Sequence, residues 1–158
     1  MRVFHKTLSE YFAFQRAIMV LILAVGLARL LWSLAGVSDS VVKWFSLTVL
    51  AIIGIIYCAV QVPRTGFGGY KQLLPLYVMQ AGTANLIIAG GIALSAITGK
   101  ENIFSRPEYS GPLASNQWLH AAGHIADGFI VGPLIGAIIM FVVLKVSRPK
   151  AAGVAVAR

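Results

Sequence analysis

Carboxylates are scarce in this 158-residue sequence: it has five Asp and Glu in all, and with thirteen Lys and Arg the charged residues reach only 11%. Beside 58% hydrophobic residues and a mean hydropathy of +0.83, so small a charged fraction cannot furnish the solvated surface of a soluble fold. Cysteine is nearly absent as well. Cys58 stands alone, which excludes an intrachain disulfide or a dithiol relay. Long polar stretches are missing, so little chain remains for a soluble catalytic module, and no internal repeat is evident.

What is present instead is a set of four apolar stretches, 17–36, 41–62, 72–98 and 118–144. Each can cross a hydrocarbon core that takes about 20 helical residues. The sequence therefore predicts an all-α, polytopic membrane protein, a bundle of four transmembrane helices with short loops forming one integral membrane domain over 1–158. The Pro- and Gly-containing segment 63–69 predicts a tight reversal. The connection 99–117 carries Pro107, Gly111 and Pro112, lacks apolar periodicity and reads as an exposed loop, and 145–158 reads as a tail. A basic start and the small-residue pattern Ser33-Leu34-Ala35 imitate a cleavable signal, but Arg29 and Trp32 interrupt the approach to that site, so the first span is read as retained. Ahead of it, Phe4, Leu8, Tyr11 and Phe12 follow near-helical spacing, which predicts a helical extension of span one at the interface; a lipid-sensing element is the rarer alternative.

The excess of basic residues would suggest nucleic acid in a soluble protein, yet here it marks span ends. Nine Lys and Arg (Arg2, Lys6, Arg16, Arg64, Lys71, Lys145, Arg148, Lys150, Arg158) fall on one face and three (Lys43, Lys100, Arg106) on the other. The positive-inside rule then places both termini in the cytoplasm, in the inner (plasma) membrane, with the bilayer as partner and no nucleic acid. Trp32, Trp44 and Trp118 all fall at the opposite ends of their spans, as an aromatic belt requires.

Polar groups at depth carry the functional signal, because a charge at the bilayer centre costs at least about 2.5 to 3.5 kcal/mol on insertion scales. His120, His124 and Asp127 follow an i, i+4, i+7 pattern and share one helix face. Asp127 lies about 13 Å below Trp118 at 1.5 Å per residue. Arg29 is the basic residue inside a span and the natural counter-charge, with snorkelling of Arg29 and a protonated Asp127 as the competing arrangement. The two histidines with Asp127 are weak candidates as metal ligands. The residue after His120 is Ala121 where a zinc protease needs Glu, and a bis-histidine haem would need a second copy of the chain, so no metal or cofactor is predicted. Gly128, Gly132 and Gly136 form a double GxxxG packing face, and Pro133 within it predicts a kink. Gln80, Thr83 and Asn85 lie at mid-depth in span three, where the amides act as interhelical glue, and Gly90-Gly91 is a candidate helix break.

Three functions fit these residues. The best supported is a non-catalytic membrane component assembling through its packing faces, as a homo-oligomer or with other membrane subunits. The second is a small transporter or proton-conducting protein built on Arg29, His124 and Asp127, with Gln80 and Asn85 continuing the path. The third, an intramembrane enzyme or metal site at His120, His124 and Asp127, lacks a recognisable nucleophile arrangement.

Overall fold

Four helices long and apolar enough to cross a membrane, Arg16–Leu34, Asp39–Arg64, Tyr70–Thr98 and Gln117–Val146, account for most of the chain. The computed structural model describes residues 2–111 and 115–147; part of the 99–117 connection, and the tail from 148 on with Arg148, Lys150 and Arg158, lie outside them. In chain order the elements are a two-residue hairpin, β1 (Arg2–Val3) and β2 (Lys6–Thr7), then α1 (Leu8–Phe14), α2 (Arg16–Leu34), α3 (Asp39–Val42), α4 (Leu47–Arg64) and α5 (Tyr70–Thr98). They continue through α6 (Pro107–Ser110), α7 (Gln117–Ala126), a π-helical turn (Asp127–Val131) and α8 (Gly132–Ser147). The result is an all-α membrane protein whose fourth span is α7, the π turn and α8 run together.

The middle of the bundle is α5, which packs against α2, α4, α7 and α8. Its sequence explains its place. It is the least apolar of the four spans and the most buried, because a helix surrounded by protein needs small and hydrogen-bonding residues where a lipid-facing one needs large apolar ones. Ala81, Gly82, Ala84, Asn85, Ala89 and Gly91 are all buried there. The outward surface carries exposed apolar side chains such as Leu31, Ile53, Ile97 and Ile138. In water these would form an aggregating patch, whereas in a bilayer they meet lipid tails.

Four expectations change. Phe4 is not on a helix: it sits with His5 in the hairpin turn, where both have positive φ (49° and 71°), and helix begins only after Thr7. Thr7 and Glu10 form a reciprocal capping box that stops the helix from starting earlier. Span two contains a break, with α3 ending at Val42 and α4 starting at Leu47 after the Ser46 cap, and it runs on through Pro63 to Arg64. Gly90-Gly91 does not interrupt α5, which is continuous from Tyr70 to Thr98.

The fourth change is the largest. The 99–117 connection is not simply exposed: Asn102, Ile103, Phe104 and Ser105 are buried in the end of the bundle away from the amino terminus. Specific bonds hold this plug, with Asn102 Nδ2 donating to the Gly91 carbonyl (2.7 Å) and the Ile103 amide to Ser33 Oγ (2.8 Å). Arg106 forms an ion pair with Asp39, tying the plug to the start of span two.

Candidate functional site

Pro133 shapes the fourth span. Having no N–H, it cannot bond the Phe129 carbonyl, and its ring would crowd that carbonyl in a regular helix. The strain that predicts a kink is taken up as one wide turn over Asp127–Val131, in which the Gly132 amide reaches back to the Asp127 carbonyl. Glycine is required at 132, since a Cβ there would lie 2.8 Å from that same oxygen. Asp127 thus opens a widened turn.

Beside it, the glycine track lets the fourth span approach α5 backbone to backbone. A Cβ on Gly128 would lie 2.7 Å from Asn85 Cβ and 3.1 Å from the Ala81 carbonyl, and one on Gly136 would collide with the Tyr77 ring. The partner of the double GxxxG face is therefore α5 of the same chain.

Between α4, α5 and the fourth span this packing leaves a cavity of about 110 Å³, lined by both ionisable and apolar groups. Its polar lining is Thr48, Tyr77, Asn85, His124 and Asp127. Asn85 is 15 residues from one end of α5 and 13 from the other, so the site lies about 20 Å from either end of that helix. His124 Nδ1 is 2.8 Å from Asn85 Oδ1, and Asn85 Nδ2 donates to the Ala81 carbonyl at 3.1 Å. A carbonyl only accepts, so the atom facing Ala81 must be the amide NH₂ and the atom facing His124 must be the amide oxygen. His124 Nδ1 is then the donor, and the neutral ring keeps its lone pair on Nε2. His124 and Asp127 are two proton-accepting groups on one cavity wall.

The other residues singled out by the sequence fall elsewhere. Arg29 does not reach Asp127: among the described residues no ion pair joins them, and the Arg29 guanidinium lies over the Phe104 ring, 5.2 Å from its centroid. The plug supplies that ring, and Gly91 makes the slot for it, since a Cβ there would lie 2.6 Å from Phe104 Cδ2. His120 is buried one turn above His124, with ring centroids 5.0 Å apart, and among the described residues its Nδ1 has no hydrogen-bond partner. Among the described residues no three His, Cys, Asp or Glu side chains converge as metal ligands, so the His120, His124 and Asp127 set is not gathered around a common point. Gln80 is fully buried in a second polar cluster nearer the amino-terminal end, donating to Gln15 Oε1 (2.7 Å) and to Cys58 Sγ (3.4 Å). Thr83 is half-buried and does not line the cavity.

Tyr77, Thr48, Gln15 and Phe104 are participants that sequence reasoning passed over. Tyr77 had a signal, since positions 77, 81 and 85 lie on one face of α5. Thr48 had one too, as a polar residue on the face of α4 that carries Ala51 and Ile52, whereas Phe104 had none, because it reaches its place through a connection of irregular backbone. No protein family, characterised protein or solved structure matches this chain.

Proposed function

We propose that this small four-helix membrane protein handles protons within the bilayer, through alternating protonation of His124 and Asp127. The observation that carries the reading is the shared cavity, where a histidine with its tautomer set by Asn85 and a carboxylate on a π turn line the same space at mid-depth. An intramembrane ionisable residue is a functional signal by default, and π turns gather at functional sites. Size narrows the choice. Organic ligands occupy pockets of about 300 to 1,000 Å³, whereas 110 Å³ suits a few waters or a small hydrated ion. Charge distribution supports an orientation with both termini in the cytoplasm of a cell whose inner membrane holds the protein, and with the 102–106 plug at the outer face.

The test is proton flux. Purified protein in liposomes, driven by an imposed potential and read by an internal pH dye, should dissipate the gradient, and Asp127→Asn should reduce that flux at least ten-fold without unfolding the protein. Absence of wild-type flux across a broad range of pH would sink the reading.

Assembly with a second copy is the other reading. It has lost the glycine face, which α5 of the same chain occupies, but an outward groove lined by Leu86, Gly90, Ala93, Trp118, Ala122 and Ile125 favours close approach of another helix. Cross-linking through cysteines placed at Gly90 and Ala122, in a Cys58→Ala background, would register such a dimer; a monomer at every protein-to-lipid ratio would exclude it.

A further inference from the structure

The amino-terminal end of the bundle carries a folded foot that the cavity does not involve. β1, β2 and α1 are tied to the rest of the protein by several independent contacts. Tyr11 is fully buried and its hydroxyl donates to the Val3 carbonyl (2.9 Å), while Gln72 Nε2 donates to the Phe4 carbonyl (3.1 Å). Phe14 stacks on Phe67 with centroids 4.2 Å apart, and the Lys6 ammonium lies over the same Phe67 ring, 4.7 Å from its centroid. The foot is thus ordered by the protein itself.

Two hydrogen bonds fix where this foot lies. Gln15, the residue between α1 and α2, is bonded to Gln80, ten residues or about 15 Å in from the start of α5, and the Phe4 carbonyl is bonded to Gln72, two residues in. α1 therefore runs back along α5 from the level of Gln80, and the hairpin lies at the headgroup level where α5 begins. Burial of Tyr11 among Leu73, Val62 and Met140 packs α1 against the ends of the other spans. With Tyr11 turned in, Leu8 and Phe12 share a different face and are 51% and 41% exposed, and the strained hairpin turn presents Phe4, 39% exposed, beside them.

Charge shares this end of the bundle. Arg2, Arg64, Lys71 and Lys145 are exposed there, and the carboxylate in the foot, Glu10, is engaged by Thr7 and by Lys6 at 3.6 Å. Exposed cations and apolar side chains at one end of a membrane bundle complement one kind of surface, an anionic bilayer leaflet.

We infer that the amino-terminal foot is a docking surface for anionic phospholipid headgroups, with Phe4, Leu8 and Phe12 seated among the upper acyl carbons. The full chain in a neutral detergent, offered equal amounts of phosphatidylglycerol and phosphatidylcholine, should retain the anionic lipid preferentially in native mass spectrometry. Each of Arg2→Gln, Arg64→Gln and Lys71→Gln should lower that preference about five-fold, the equivalent of about 1 kcal/mol per surface charge. Phe4→Ser combined with Phe12→Ser should lower retention of both lipids, and Lys71→Gln, on the exposed side of α5, tests the charge without touching the foot's packing. Equal retention of the two lipids by the wild-type protein would overturn the inference. So would a preference that survives the three charge substitutions together and vanishes on neutralising Arg148, Lys150 and Arg158.

Discussion

At Asn85 a single amide sets the chemistry of a neighbouring ring. Its NH₂ is committed to the Ala81 carbonyl, so its oxygen demands a proton from His124 and leaves the other ring nitrogen basic. Nitrogen NMR of the protein with labelled histidine should therefore find neutral His124 protonated at Nδ1. Asn85→Leu should abolish that bias and destabilise the fold by about 1 to 3 kcal/mol, the cost of a buried donor left unmade. At this scale much of the site is legible in the sequence: His124, Asp127 and Asn85 stand out because polar groups at membrane depth need a reason to be there. Arg29 shows the limit of that logic. Opposite charge pointed to Asp127, but a cation in a bundle can also rest against an aromatic face, and no charge count reveals that the ring arrives from a loop 75 positions further on.

The π turn is an element with a cost, and its value is where it puts Asp127. With Pro133→Ala the backbone donor returns and a regular helix becomes possible through this segment, which withdraws Asp127 from its present position. The expected outcome is a protein of equal or higher melting temperature with proton flux reduced several-fold; unchanged flux together with unchanged stability would mean that the wide turn serves packing alone. The α1 cap makes a separate prediction about acid. Acceptance of the Thr7 backbone and side-chain donors holds the Glu10 carboxyl below its ordinary value of 4.5. Because the folded chain favours the carboxylate, this contribution is complete above that ordinary value and is lost as pH falls through the lowered one. Amide exchange at Thr7 should accelerate over that acidic window and not near neutrality. Elements differ in how far sequence exposes them. The spans follow from apolar length alone, whereas the hairpin has two-residue strands and a Phe-His turn in place of the usual Asn-Gly, and the 102–105 plug is held by individual hydrogen bonds that have no period to read.

Across the whole molecule, the two ends of the bundle are closed by different devices, the foot at one and the plug at the other, with the polar cavity between. Phe104 is the keystone of the plug, 5% exposed and set between Gly91 and Arg29. Phe104→Ala should lower stability by about 3 to 5 kcal/mol, measured by thermal unfolding in detergent, a larger loss than any surface position should give. The plug also imposes a timetable on synthesis. Ser33 and its partner Ile103 are separated by 70 residues, so at about 5 to 20 residues per second a ribosome needs roughly 4 to 14 s to deliver one after the other. Through that interval the first span waits in the bilayer with its far end unsealed, and two more spans are made before the closing segment exists. Assembly of this small bundle is therefore staged by the ribosome, and its earliest helix is among the last to reach its finished surroundings.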